Sequence, residues 1–269
     1  MELTVVFPLL HGPLGEDGTV QGLLELIDIA YVGSGVLGSA LAMDKRMAKN
    51  VCGAAGIPQA RHLVVTQDDV DRGDLISVVE RELGLPCFVK PANMGSSVGV
   101  SRAATAEELS AAVQLALTYD RIALVEEAIS GREIEVAVLG NSHPEVFGPG
   151  EVIPADDFYS YADKYLDGAS QGVVPAQLDN DVAIASRQLA VQAFRALDCA
   201  GLARCDFFFE HPGRGLLLNE VNTMPGFTPI SMYPKMVLAG GLPYPSLIDR
   251  LIDLAIDRHQ SRPRRIDHP

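Results

Sequence analysis

Asp206, Glu220 and Asn222 place three oxygen-bearing side chains on two neighbouring segments, 202–210 and 215–222, joined by His211-Pro212-Gly213. The alternation and the turn residues read as a β-hairpin. Residues two apart in a strand share a face, so Glu220 and Asn222 point the same way. Oxygen donors with no His or Cys beside them suit a hard cation such as Mg2+, which needs few protein ligands because phosphate oxygens and water complete its shell. Solvated polar groups on an edge hairpin are the plainer alternative. The strongly apolar neighbours Phe207, Phe208, Leu217 and Leu218 weigh against it, and Arg204 shares the Asp206 face.

A second group lies upstream, where the run Phe88-Val89-Lys90-Pro91 leads into Gly95-Ser96-Ser97-Val98-Gly99. This reads as a strand entering a Gly/Ser loop, a backbone able to wrap phosphate oxygens with its N–H groups. The GxxxxGK[ST] order of a P-loop is absent, and no GxGxxG follows the first strand, which disfavours a nicotinamide dehydrogenase. By itself such a loop is equally well a plain turn. Lys90, however, ends a buried strand, where an unpaired ammonium would be costly, and that favours phosphate binding. Glu126, Glu127 and Ile129 close a further strand, and Glu133 opens the next. A segment joining two domains can offer backbone groups to an adenine and a carboxylate to a ribose, although acids in such a place are also ordinary linker residues.

The elements that must position these groups follow from periodicity. A strand is expected at 3–7, a loop at 11–18 and a helix at 19–28; a second helix starts at Asp44, a suitable N-cap, and ends at Gly56 before Pro58. Strands at 60–66, 86–90 and 121–127 then alternate with helices at 74–84 and 105–119. Beyond Gly131 come paired strands at 133–140 and 144–153, a tyrosine-rich loop at 154–173, a helix at 180–198, the hairpin and a last helix at 245–258. In the 180–198 helix, Val182, Leu189, Ala193, Phe194 and Leu197 fall on one face. The fold class is α+β, with a boundary near residue 130.

Composition bounds the function. The chain has 269 residues, 48% of them hydrophobic, enough for a sizeable core in about two domains. No apolar run is long enough to span a bilayer and no secretory signal is evident, so a cytoplasmic protein is expected. The net charge of -14 argues against nucleic acid as a partner. Cys52, Cys87, Cys199 and Cys205 lack CxxC spacing and read as buried free thiols. Only five of the 21 basic residues are lysines, so a lysine that survives this bias is worth separate inspection.

Taken together in order and spacing, several of these motifs resemble those of D-alanine:D-alanine ligases. They are the loop His11-Gly12-Pro13-Leu14-Gly15-Glu16-Asp17-Gly18, Met43-Asp44-Lys45, Val89-Lys90-Pro91, the 95–99 loop, the 158–165 run ending in Lys164-Tyr165, Arg204-Cys205-Asp206, and the 219–226 run from Asn219 to Gly226. The resemblance spans about residues 3–257. It implies an ATP-grasp fold of two α+β domains clasping ATP. The expected parts are a remnant of an N-terminal α/β substrate domain at 1–34, ATP-grasp units at 35–130 and 131–260, and a disordered tail at 261–269.

The resemblance also implies roles. Lys45, Lys90 and Ser97 belong to the ATP phosphates, and Lys164 to the transferring γ-phosphoryl on a lid at 154–173 that excludes water. Glu126, Glu127, Ile129 and Glu133 frame the adenosine, the hinge residues partly through backbone groups. Asp206, Glu220 and Asn222 hold two Mg2+ ions, with Mn2+ as a substitute. One D-alanine carboxylate becomes an acyl phosphate, the amine of a second attacks it, and Arg204 with the N–H of Gly226 meets the oxyanion. Ser231 and Met232 match contacts to the second substrate and His11 a contact to the first, while the Lys164-Tyr165 pair points to D-alanine rather than D-lactate as acceptor. Family members begin with a further strand-helix-strand region, whose glutamate binds the first substrate's amine and cooperates with the positions of Ser96 and Tyr165; this chain starts after it. That departure leaves two alternatives to ligation of D-alanine, an ATP-binding fragment with little activity and a D-lactate or D-serine ligase. It also leads to the expectation of exposed apolar side chains on the strand at 3–7 and the helix at 19–28. A homodimer is left open.

Overall fold

The computed structural model describes residues 4–154, 170–228 and 230–261. The expected lid residues Lys164 and Tyr165, and the tail from residue 262 onward, lie outside the described residues.

The chain opens with β1 (Val5–Val6), α1 (Thr19–Leu26), β2 (Ala30–Tyr31), α2 (Val36–Met43) and α3 (Lys45–Ala54). It continues through β3 (His62–Val65), α4 (Gln67–Asp71), α5 (Leu75–Glu82), β4 (Cys87–Pro91), β5 (Ser101–Ala103), α6 (Ala106–Tyr119) and β6 (Ala123–Glu127). The second half holds β7 (Arg132–Gly140), β8 (Glu145–Ile153), β9 (Gln171–Val173), α7 (Asn180–Ala196), β10 (Gly201–Glu210), β11 (Gly215–Asn222), α8 (Met232–Ala239) and α9 (Tyr244–Gln260). Strands β1 and β2 form a small parallel pair. A four-stranded sheet has the order β3-β6-β4-β5 and a five-stranded sheet the order β11-β10-β7-β8-β9, each antiparallel throughout.

Strand alternation decides which residues are available for chemistry. On β7 and β10, Ile134, Val136, Val138, Ala203, Cys205 and Phe207 pack into one apolar cluster with Phe194 and Leu197 from the α7 segment. The intervening Ala137, Leu139 and Leu202 pack on the other face with residues of α8 and α9. Arg204, Asp206 and Glu135 share that second face, but there it opens into a cavity instead of meeting a helix. The smaller sheet buries Val89, Val125 and Cys87 against Leu109, Val113 and Val79 of the helices α6 and α5. The sheets are joined where Leu218 N donates to Pro58 O at 2.7 Å.

Asp44 caps α3, its side chain accepting from Met47 N at 3.0 Å, as the residue type requires. The four cysteines are free and buried, and burial pushes the Cys199 thiol up to about 12. Among the described residues, six elements escaped the sequence pattern, β2, α2, α4, β5, β9 and α8. Helix α2 is masked by Gly35 and Gly38, α8 by its internal Pro234, and β5 by its brevity. Gly38 is nevertheless required, because a Cβ there would lie 2.3 Å from Asp198 O. On α1, Leu23 and Leu26 are exposed, whereas Val5 and Val6 of β1 and the following Phe7 are half-buried.

Phe194 is 1% exposed at the centre of the larger core. Phe194→Ala is expected to cost about 3–5 kcal/mol through lost transfer energy and a residual cavity. A denaturant titration checks this: the midpoint falls while the slope stays unchanged.

Candidate active site

A cavity of about 700 Å³ gathers side chains from both sheets. Lys45, Lys90, Ser96, Ser97, Glu126, Glu127, Ile129 and Glu133 line it, and so do Arg204, Asp206 and Glu220. These residues are scattered over 176 positions of chain (45 to 220), yet the folding of two sheets against each other brings them to one space.

Lys90 sits at the end of β4 and donates to Glu126 Oε2 at 3.0 Å and Asn219 Oδ1 at 3.2 Å. Lys49, which sequence reasoning passed over as an ordinary helix lysine, approaches Glu126 Oε1 at 3.2 Å. Burial opposes the charge of Glu126, but Lys90 and then Lys49 outweigh it and draw the carboxyl down to about 2. Burial likewise opposes the charge of Lys90, and Glu126, Glu220 and Glu133 hold its pKa above the ordinary value. Because the folded pKa of Glu126 is depressed, its contribution to stability is present above the ordinary 4.5 and lost as pH falls toward about 2. Acid titration of the thermal midpoint is therefore expected to fall steeply in that window, and Glu126→Gln should flatten the fall.

Glu127 points to the opposite side of β6. Its carboxylate accepts from Arg61 N at 2.7 Å, Arg61 Nε at 2.8 Å and Arg214 at 2.6 Å. Its side chain therefore ties β3 to the β10–β11 turn, leaving backbone groups for a ligand. In the Gly/Ser loop, Ser96 and Ser97 have φ of 53° and 59°. Two consecutive non-glycine residues in the left-handed region store strain of order 1–3 kcal/mol each, as is common where a loop is shaped around a ligand. Lys45 reaches this loop, donating to the carbonyl of Met94.

On the hairpin, Asp206 lies directly opposite Glu220, and Arg204 opposite Asn222. Arg204 forms a two-pronged pair with Asp206, both contacts 2.7 Å, and its Nε lies 3.3 Å from Glu135 Oε1. Asn222 Nδ2 donates to Asp206 Oδ2 at 2.9 Å, which leaves the Asn222 carbonyl oxygen as a donor to a cation. A carboxylate has about four lone-pair sites. Asp206 commits three of them, to two Arg204 contacts and one Asn222 contact. With Glu220 beside Asp206 and the Asn222 oxygen next to it, this all-oxygen set is of the kind that suits Mg2+. Glu135 was missed in the sequence because a lone acid on a strand resembles a solvated position.

His11, Gly226, Ser231 and Met232 are not among the residues that line this cavity. His11 Nδ1 lies 3.0 Å from Met224 O, and Gly12 N donates to Glu16 Oε2 at 2.5 Å. Burial raises the Glu16 carboxyl, opposed by Gly12 N and His11. A Cβ on Gly95 would lie 3.5 Å from Gly12 Cα, so this loop abuts the Gly/Ser loop as well. At Gly226 a Cβ would lie 2.7 Å from Ser231 Oγ, and Ser231 is the N-cap of α8. Met232 is 7% exposed, and its side chain packs against Gly150 and Gly172, where a Cβ would meet it at 2.6 and 2.5 Å. Only its backbone, in the first turn of α8, is free to meet a substrate.

This geometry can be set beside known proteins. The D-ala D-ala ligase C-terminus model matches residues 51–253, and the D-ala D-ala ligase N-terminus model matches residues 1–34. The D-alanine–D-alanine ligase of Bacillus pumilus is 52% identical over 263 residues, 97% of this chain and 73% of that protein. Among solved structures, the D-alanine-D-alanine ligase from Coxiella burnetii superposes with a TM-score of 0.85 at 43% identity, covering 95% of this chain and 68% of that one. A D-Ala:D-Ser ligase from Enterococcus faecalis superposes at 0.86 with 37% identity, covering 95% and 74%. Lys90, the acidic hairpin and the Gly226 loop fall within the matched stretch of 51–253, with Lys45 just before it, and on that likeness the chain belongs to the D-alanine–D-alanine ligase family, with the ATP-grasp fold.

Proposed function

We propose that the protein is an ATP-dependent ligase joining two D-alanines to D-alanyl-D-alanine for peptidoglycan synthesis, through a D-alanyl phosphate. The observation that carries this reading is the convergence on one cavity of Lys90 and Glu126 from one sheet with Arg204, Asp206 and Glu220 from the other. The same reading makes 35–130 and 131–260 the two lobes that clasp ATP and 1–34 part of a substrate domain.

Lys45, Lys90 and Ser97, with the loop N–H groups, hold the phosphates. Ile129 and Glu127 offer backbone groups to the adenine, and Glu133 lies where a ribose would sit. Asp206, Glu220 and Asn222 would hold Mg2+, which when bound would supply positive charge against the repulsion between the phosphates and an incoming carboxylate. His11 orients the first D-alanine, whose carboxylate oxygen attacks the γ-phosphorus as the bond to ADP breaks. The second amine, having lost a proton, then attacks the acyl carbon and phosphate leaves. Arg204 and the Gly226 N–H meet the charge developing on the acyl oxygen. Ser231 and the first turn of α8 receive the second carboxylate, since helix N-termini carry free N–H groups. The roles of Lys164 on the transferring γ-phosphoryl, and of Ser96 and Tyr165 as partners of the glutamate that binds the first substrate's amine, rest on the sequence. The expected setting is the cytoplasm, and among the described residues no helix is long and apolar enough to cross a membrane. Light scattering would test the homodimer.

The test is a competition among acceptors. With ATP, Mg2+ and D-alanine plus equimolar D-serine or D-lactate at neutral pH, the dominant product is expected to be D-alanyl-D-alanine. A dominant mixed dipeptide or depsipeptide would overturn the assignment of the second substrate.

A further inference from the structure

Glu126 is held from two sides. It is 3% exposed, with Lys90 3.0 Å from one oxygen and Lys49 3.2 Å from the other. The two lysines are not equivalent. Lys90 lines the cavity and keeps 14% of its side chain exposed, while Lys49 is outside the lining and keeps 3%. The contact with Glu126 is what holds Lys49 Nζ in place. Its place is set by the sequence of α3. The Asp44 cap starts the helix, Lys45 at the first position reaches the Gly/Ser loop, and Lys49 one turn later lies on the same side. Across from it, His62 of β3 pairs in register with Glu126, and burial together with Lys49 depresses the imidazole, so that side adds no second positive charge.

We propose that Lys49 is a positioning residue for the nucleotide: by taking one oxygen of Glu126 it keeps Lys90 from turning fully into that ion pair and leaves its ammonium presented to the ATP phosphates. This rests on the cavity being the ATP site. Two ammonium groups share the Glu126 carboxylate, and of the two only Lys90 lines the cavity, where Glu220 and Glu133 also face it. An ammonium whose nearest carboxylate is shared can still pair with an arriving phosphate. Without Lys49, Lys90 and Glu126 form a neutral pair that turns inward. Lys49 touches neither the acidic hairpin nor the loops around His11 and Gly226, so D-alanine binding and the chemical step should be spared.

The test compares Lys49→Met, Lys49→Arg, Glu126→Gln and the Lys49→Met/Glu126→Gln double variant. Two readouts are used, steady-state kinetics for ATP and D-alanine, and calorimetric binding of a non-hydrolysable ATP analogue with Mg2+. Lys49→Met is expected to raise KM for ATP and the analogue Kd about tenfold with kcat and the D-alanine KM within about twofold, and Lys49→Arg to restore most of the loss. The double variant should bind the analogue as Glu126→Gln does, because without the carboxylate Lys49 has nothing to hold. If Lys49→Met does not fold, the double variant, which removes both buried charges, still decides the matter by this comparison. Unchanged Kd in Lys49→Met, or additive losses in the double variant, would overturn the proposal. Should the parent bind the analogue without D-alanine-dependent turnover, the ligase reading fails while the calorimetry still decides the role of Lys49.

Discussion

Glu220→Gln is expected to lower D-alanine-dependent phosphate release by about a thousandfold while leaving the fold intact, because it removes one anionic cation ligand at constant volume. A metal acting as Lewis acid contributes several kcal/mol to the transition state, and each 1.36 kcal/mol is about tenfold in rate. Glu220 is the better of the two hairpin acids for this experiment. Asp206 is already bound by both prongs of Arg204 and by Asn222, so Asp206→Asn would break a buried ion pair as well as a cation site. Its kinetic loss would be mixed with a stability loss of about 3–5 kcal/mol. Turnover of Glu220→Gln within about tenfold of the parent would show that Glu220 is not a required cation ligand.

Arg204→Lys should lower kcat by about 10²–10³, the typical loss when one donor to a developing oxyanion is removed. The charge is kept, so Asp206 and Glu135 retain a counter-ion and the thermal midpoint should move little. What is lost is the planar fork that makes two 2.7 Å contacts to Asp206 and fixes where the remaining N–H groups point. A lysine in the same place has three rotatable donors and no fixed direction. The KM for ATP is expected to stay near that of the parent, since Arg204 meets charge that appears only during the reaction. A raised KM for ATP at unchanged kcat would instead make Arg204 a ground-state phosphate ligand.

The parts of this site that could be read in the sequence are those where residue type conflicts with its surroundings. An acid, an arginine and an amide among phenylalanines and leucines, or a lysine ending an apolar strand, carry information because burial would be costly without a partner. Lys49 and Glu135 gave no such signal. A lysine in a helix and an acid on a strand are ordinary surface residues until packing is known, and only tertiary structure buries them at 4% and 5% exposure. Glu127 was legible as a hinge residue, but the direction of its side chain follows from Arg61 and Arg214, which are 153 positions apart. At Met232 the motif marks a position but no direction, and packing turns the side chain into the core. The long strands and helices followed from periodicity, whereas α2, with Gly35 and Gly38, and α8, with Pro234, hold residues that normally end a helix and owe their form to packing.

Transfer of ATP's γ-phosphoryl to a D-alanine carboxylate inside the cavity leaves an isotopic record. It is read by label transfer from D-alanine carrying 18O in its carboxylate, with ATP and Mg2+, followed by mass analysis of the released phosphate and of the nucleotide product. The expected nucleotide is ADP, with one 18O atom in each phosphate released with each D-alanyl-D-alanine formed. Unlabelled phosphate, or label appearing in AMP, would contradict that transfer.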